Sequence, residues 1–128
     1  MIGLDTTAII DLFKGNPEVR EVIQKYSTFV TTDINYLELF FGLDLTRRQH
    51  QQEAEYYEQF FESVMKLPLS RMAVLKASEI YWKLKKEGKT IGKFDCIIAA
   101  IYVTNNVHSV ITRNTHHFSL AGMNAISY

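Results

Sequence analysis

Three carboxylates are spaced so that they could share one piece of chemistry. Asp5 follows the short apolar run Met1–Leu4, Glu38 lies inside an amphipathic segment, and Asp95 opens a mostly apolar one. On a helix starting near Asp33, the residues Ile34, Leu37, Phe41 and Leu45 recur at i, i+3, i+7 and i+11. That spacing predicts an inward stripe which Glu38 shares or borders. Asp95 has Ile98, Ala99 and Tyr102 at i+3, i+4 and i+7, so it too lies on an otherwise apolar face. Taken singly, Asp5 and Asp95 read better as helix N-caps, and Glu38 equally well as half of an ion pair or a carboxylate at the edge of the stripe. Taken together they fit one site. Each sits at a strand end, or in an early helical turn fed by a strand or loop, so all three can converge at the carboxyl edge of a parallel sheet, where such sheets bind ligands. Clustered carboxylates repel one another unless a cation neutralises them. Oxygen donors without a thiolate select a hard ion, Mg²⁺ or Mn²⁺. Such an ion can activate water and neutralise charge on a phosphodiester.

Further along, Ser109–Thr112 runs into Arg113-Asn114-Thr115-His116-His117-Phe118. Asn114 would reach the same edge, where its carbonyl could hold a water, and Thr6 and Thr112 are placed to orient carboxylates or waters. His116 and His117 read either as substrate contacts or as solvated loop residues. No His-Glu-x-x-His spacing supports a histidine-held metal. An aspartyl phosphatase would need Asp-x-Asp after the first strand, and Thr7 takes the second place.

The elements that must position these residues can be read from periodicity and punctuation. Strands are predicted at 1–4, 28–32 and 109–112, with a weak fourth at 124–127. Helices are predicted at 8–13, 17–25, 33–45, 48–65, 71–87 and 94–105, with Pro17 opening the second and Gly88 closing the fifth. Residues 66–70 read as a short extended piece broken by Pro68, and 89–93 as a basic loop. Strands alternating with helices predict an α/β fold, a three-layer α/β/α sandwich around a mainly parallel sheet.

At 128 residues the chain suits one domain, 1–128. Apolar residues make up 47% and charged residues 22%, too apolar for disorder. The amino terminus lacks the basic start of a signal peptide, and no stretch is long and apolar enough to span a bilayer, so a cytoplasmic setting is expected. The single cysteine, Cys96, excludes a disulfide framework and a cysteine-held zinc. Net charge is zero but segregated. Residues 1–62 hold 5 Lys and Arg against 11 Asp and Glu, and residues 63–128 hold 9 against 3. A polyanion-binding face beside an acidic site would produce such a division, and so would a simple dipole without a partner. Lys76, Lys83 and Lys86 fall on a similar helical face that Lys89 and Lys93 extend toward Asp95, forming a candidate basic rim for phosphates. Tyr56, Tyr57, Phe60, Phe61 and Val64 form an apolar band broader than one core contact needs. Most of it is assigned to the core and part to a partner helix.

In this order and register, the motifs resemble those of PIN-domain ribonucleases of the VapC type, the toxins of toxin–antitoxin pairs. The resemblance rests on Leu4-Asp5-Thr6-Thr7, on Glu38-Leu39 with Gly42, on Gly88 through Ile91-Gly92 to Asp95-Cys96-Ile97-Ile98-Ala99-Ala100, and on Val110-Ile111-Thr112-Arg113-Asn114 with His117-Phe118. It implies a metal site of Asp5, Glu38 and Asp95 with Asn114 beside it, and Mg²⁺ as cofactor with Mn²⁺ substituting. It also implies an RNA substrate of the tRNA or rRNA class, gripped by Lys89, Lys93 and Arg113, together with an antitoxin partner and a homodimer. Many PIN domains carry a fourth acidic residue near Asn114, whereas no Asp or Glu follows Asn114 here, so one firmly held ion is expected. The alternatives are a PIN-like module that binds RNA or protein without cutting it, and an RNA-processing nuclease without an antitoxin.

Overall fold

The computed structural model describes residues 1–128. Its strands are β1 (Ile2–Leu4), β2 (Phe29–Thr32), β3 (Met65–Leu67), β4 (Ser109–Ile111) and β5 (Asn124–Ile126). Its helices are α1 (Thr6–Phe13), α2 (Pro17–Ile23), α3 (Asp33–Phe41), α4 (Arg48–Ser63), α5 (Arg71–Lys86), α6 (Lys93–Thr104) and α7 (Thr115–Leu120). The strands pair in the order β3-β2-β1-β4-β5, all of them parallel. Alternate side chains feed two cores. Val30 and Val110 pack with Ala73, Ile98 and Phe118 on the α5–α6–α7 side, while Leu4 and Ile111 pack with Ile9, Val19 and Phe61 on the α1–α2–α4 side. The result is the expected three-layer α/β/α sandwich around a parallel sheet.

This strand order decides where a site can lie. The chain winds outward through β1, β2 and β3, then returns to the other flank of β1 for β4 and β5. The winding direction therefore reverses between β1 and β4, and the crevice outside their carboxyl ends is the topological switch point. Gly3 pairs with Val110 and Leu4 with Ile111, so the next residues, Asp5 and Thr112, leave the sheet side by side at that crevice. The Asp5 amide still donates to the Ile111 carbonyl at 3.0 Å, which fixes where the carboxylate emerges.

Local chemistry sets the element ends. Asn16 caps α2 ahead of Pro17, Thr32 and Asn35 form a reciprocal capping box on α3, and Ser70 caps α5. Three features differ from the sequence reading. The 66–70 piece shifts to Met65–Leu67 and becomes an edge strand of the sheet. Thr115–Leu120 is helical rather than loop; its six residues are too few to show a period, and the Asn114 side chain gives no cap hydrogen bond. The third difference concerns α3, which stops at Phe41, and the stripe Leu37, Phe41 and Leu45 faces solvent, with Phe41 69% exposed. Its inward face is Ile34, Asn35 and Leu39, with Glu38 half-buried, and the polar Asn35 hides that face from a hydrophobic pattern.

Tyr102 ties the central strands together behind the crevice. Its fully buried hydroxyl donates to the Leu4 carbonyl at 2.6 Å and accepts from the Leu4 amide at 3.1 Å, with the Val30 carbonyl 3.0 Å away. The ring lies flat against Gly3, where a Cβ would come within 2.7 Å of it, so no larger residue fits at that position without displacement. Tyr102→Phe removes a buried partner of the Leu4 backbone and is expected to destabilise the protein by about 1–3 kcal/mol. The check is urea denaturation, with the midpoint lowered and the m-value unchanged.

Candidate metal centre

Asp5 is the most constrained carboxylate in the molecule. It is 1% exposed, and its Oδ2 accepts from the Thr112 hydroxyl at 2.7 Å and the Thr7 hydroxyl at 2.9 Å. Its Oδ1 is buried and has no hydrogen-bond partner, the one side-chain oxygen or nitrogen in the protein in that condition. Burial pushes its pKa above the ordinary 3.8; the hydrogen bond from Thr112 opposes this, and the charge of Asp95 adds to the rise. The nearby amide of Asn114 donates to Thr112 Oγ1 at 2.8 Å, so the β4 exit loop is laced to the same group.

Glu38 reaches the crevice from α3. The Thr6 hydroxyl donates to its Oε1 at 2.7 Å, and its Oε2 accepts nothing from the protein. Burial raises its pKa above 4.5, and the charges of Asp5 and Asp95 raise it further against the Thr6 hydrogen bond. Asp95 arrives on the first turn of α6, with its Oδ2 2.8 Å from His117 Nδ1. Each of the three carboxylates thus has one oxygen held by the protein and one left over. The charge of Asp95 acts on Asp5, and both act on Glu38, whereas the sheet-edge positions predict three carboxyl groups close enough to share one ion. No three of the His, Cys, Asp and Glu side chains, however, stand close enough to enclose an ion. Like charges with no cation between them favour such a splayed arrangement. The residues nevertheless fit a hard divalent cation. The donors are all oxygens, and a buried carboxylate oxygen with no donor is an uncompensated cost that a cation would remove.

Among the remaining predicted residues, Thr6 and Thr112 both contact carboxylates. Asn114 caps α7 beside them. Lys93 opens α6 two residues from Asp95 and is exposed, and Lys89 is exposed 3.6 Å from Glu87. Arg113 was expected to grip RNA, but its guanidinium is engaged by Asp11 at 2.6 Å, next to the Tyr128 hydroxyl on the same oxygen. Burial and the hydrogen bond to Asp11 push the Tyr128 pKa up to about 12. Of the α5 lysines, Lys76 and Lys83 border a cavity of about 200 Å³ against Val103 and Leu120. Ala77, next to Lys76, accepts from the Cys96 thiol at 3.3 Å, so this stretch of α5 lies beside the first turn of α6 that carries Asp95. Of the aromatic band, Tyr57, Phe60 and Phe61 pack on the core and Tyr56 is 63% exposed.

Four residues of this neighbourhood escape sequence reasoning. Thr7 doubles the hold on Asp5, Asn35 bonds Thr6 from within α3, and Asp11 anchors Arg113 from α1. The fourth, His117, binds Asp95 because α7 turns it inward, whereas His116 stays exposed. Asp11 did carry a signal, as a charge inside the apolar run of the first helix.

This fold, with its acidic crevice at the β1–β4 switch point, is that of a small α/β nuclease-like domain. The chain belongs to the PIN-domain family, whose model matches residues 2–122. It is 33% identical over 139 aligned positions to the VapC ribonuclease Y4jK of Sinorhizobium fredii, covering 99% of this chain and 96% of the relative. It is 32% identical over 99 positions to ribonuclease VapC3 of Methanocaldococcus jannaschii, covering 77% and 95%. The structure of VapBC-1 from nontypeable Haemophilus influenzae superposes with a TM-score of 0.81 at 28% identity, covering 99% of this chain and 98% of that one.

The raised pKa values have a consequence for stability. As pH climbs past 3.8 and 4.5 the unfolded chain releases protons that the native Asp5 and Glu38 still hold. Stability therefore falls with rising pH through that window, and the loss is complete above the raised native values. Asp5→Asn removes one charge while an amide oxygen can still accept from Thr7 and Thr112. In EDTA at pH 7 this variant should be at least as stable as the wild type, with its advantage shrinking as pH falls toward 4. Urea denaturation at both pH values reads the difference, and a clearly less stable variant at pH 7 would refute the repulsion.

Proposed function

We propose that this protein is a divalent-metal-dependent endoribonuclease acting as the toxin of a toxin–antitoxin pair. The observation that carries this reading is the buried, unpartnered Oδ1 of Asp5 at the sheet's switch point. A module that only bound RNA or protein would have no use for such an atom. Asp5, Glu38 and Asp95 would hold Mg²⁺, with Mn²⁺ able to replace it. When bound, the ion supplies neutralisation of phosphodiester charge and a more acidic water. The chain's own residues then have defined tasks. Thr112 and Thr7 fix Asp5, Thr6 fixes Glu38, and His117 fixes Asp95, each leaving one carboxylate oxygen free for an ion that would draw the three side chains together. Asn114 orients the attacking water, and Lys89, Lys93 and the half-exposed Arg113, which also pairs with Asp11, take flanking phosphates. Attack of water on phosphorus with departure of the 3′ oxygen leaves a 3′-hydroxyl and a 5′-phosphate. The names of the curated relatives, both VapC ribonucleases, support RNA as the substrate; a tRNA or rRNA is the class we propose. No helix is long and apolar enough to cross a membrane, in keeping with action on cytoplasmic RNA.

Purified protein should cleave structured RNA in Mg²⁺ or Mn²⁺ and stop in EDTA. Asp5→Asn and Asp95→Asn should each lose more than the roughly 10–100-fold that removing an outer partner of a metal ligand costs. Cleavage that persists equally in both folded variants would refute the reading.

Two surfaces suit the partners. Phe13, Lys14, Glu53, Tyr56 and Tyr57 line a cavity of about 210 Å³ between α1 and α4, where an apolar antitoxin segment fits. On α3 and α6, the exposed Phe41 ring lies 6.2 Å from that of Phe94, and with Leu37 and Leu45 it leaves an apolar face for a second copy. Sedimentation should show Phe41→Glu as a monomer. Tyr56→Glu should remain dimeric and active yet escape inhibition by the product of an adjacent short reading frame. An unchanged oligomer or unchanged inhibition would remove the corresponding surface.

A further inference from the structure

Asn35 is completely buried, unusual for an amide, and its orientation follows from its neighbours. The Thr32 backbone N–H lies 2.9 Å from one terminal atom of Asn35. A peptide N–H can only donate, so that atom is the oxygen. The amide nitrogen therefore points the other way, 3.0 Å from Thr6 Oγ1. It too can only donate, so the Thr6 oxygen accepts from it. The single hydroxyl proton of Thr6 is then directed to its other neighbour, Glu38 Oε1 at 2.7 Å. Glutamate has one more rotatable bond than aspartate and is the least buried partner in this chain of bonds, so it has most to gain from a fixed donor.

We infer that Asn35 is a positioning residue for the metal centre: acting through Thr6, it commits Glu38 Oε1 to the protein and leaves Oε2 for the ion. This rests on the nuclease reading above. It is distinct from the part Asn35 plays in the α3 capping box, where only its oxygen is needed.

That distinction makes the test. Asn35→Asp keeps the oxygen that Thr32 uses and removes only the donor to Thr6, while its added charge would by itself attract a cation. Binding of Mn²⁺ alone is measured by isothermal titration calorimetry on the full chain, with the melting temperature in EDTA as a check on folding. Asn35→Asp and Thr6→Val are each expected to bind Mn²⁺ about tenfold more weakly than the wild type, and Thr6→Ser, which keeps the hydroxyl, to bind like it. In the Thr6→Val background Asn35→Asp should cost nothing further, because the donor it removes has no target there. If the buried charge prevents folding, Thr6→Val against Thr6→Ser carries the measurement, since both leave the Asn35–Thr32 cap intact and wild-type affinity in Thr6→Val would equally overturn the inference. Wild-type affinity in Asn35→Asp, or an equal loss in both backgrounds, overturns the inference while leaving the nuclease reading intact. A wild type that binds no Mn²⁺ overturns that reading and the inference with it.

Discussion

Everything at the carboxyl edge of this sheet answers to one constraint, a carboxylate buried where water does not reach it. Removing Asp5 from solvent disfavours its charge, and Asp95 across the crevice disfavours it further. The protein offsets this on one side only. Two hydroxyls, from Thr7 at the head of α1 and Thr112 at the end of β4, converge on Oδ2. No hydrogen bond completes Oδ1, although the Thr6 backbone N–H lies near enough to the carboxylate to oppose its rise in pKa. An apolar replacement of similar shape would be cheaper for folding alone. The retained carboxylate is therefore better explained by what the second oxygen is kept free to bind than by stability.

Holding that atom in register requires a rigid base, which Tyr102 supplies from α6, the helix that also carries Asp95. Its hydroxyl is bonded to the backbone of the residue before Asp5, and its ring occupies the space that Gly3 leaves on the same strand. A strand of only three residues contributes few ladder bonds, so a side chain that fixes two central strands at once matters more here than in a longer sheet. Burial keeps the Tyr102 phenol neutral, with its pKa well above the ordinary value, as a group that must donate to a carbonyl has to be. The path Tyr102, Leu4, Asp5 is thus a continuous mechanical link from the core to the crevice.

The sequence made the scaffold legible wherever a pattern had enough length to repeat. Long helices such as α4 and α5 and the parallel α/β layering followed from periodicity and caps, and the three carboxylates from their places at strand ends. What escaped was short or polar. Six residues of α7 carry too little periodicity to be seen, so His117 could not be distinguished from its exposed neighbour His116. On α3 the inward position held by Asn35 breaks the apolar stripe, and the pattern that remained, Leu37, Phe41 and Leu45, points to solvent. A hydrophobic pattern reports which residues avoid water, not whether they do so in their own core or against another molecule. The pairing of Arg113 with Asp11 joins residues 102 positions apart, and no local rule reaches across that separation.

On the nuclease reading proposed above, the charges that would need a cation would also govern when RNA could approach. With three carboxylates and no ion, the crevice would repel an incoming phosphodiester, and the few nearby lysines would not outweigh that repulsion at contact distance. One divalent ion lowers the formal charge of the cluster from −3 to −1, and a fourth carboxylate at position 114 would have left it at −2. Asn114 therefore weakens the claim of the crevice on a second ion and lessens its repulsion of the phosphate in equal measure. On that reasoning an ion would have to bind before RNA, and a second ion would have to be shared with the phosphate itself. On the proposed reading, the neutral side chain at 114 would make substrate, rather than protein, the source of the last negative ligand.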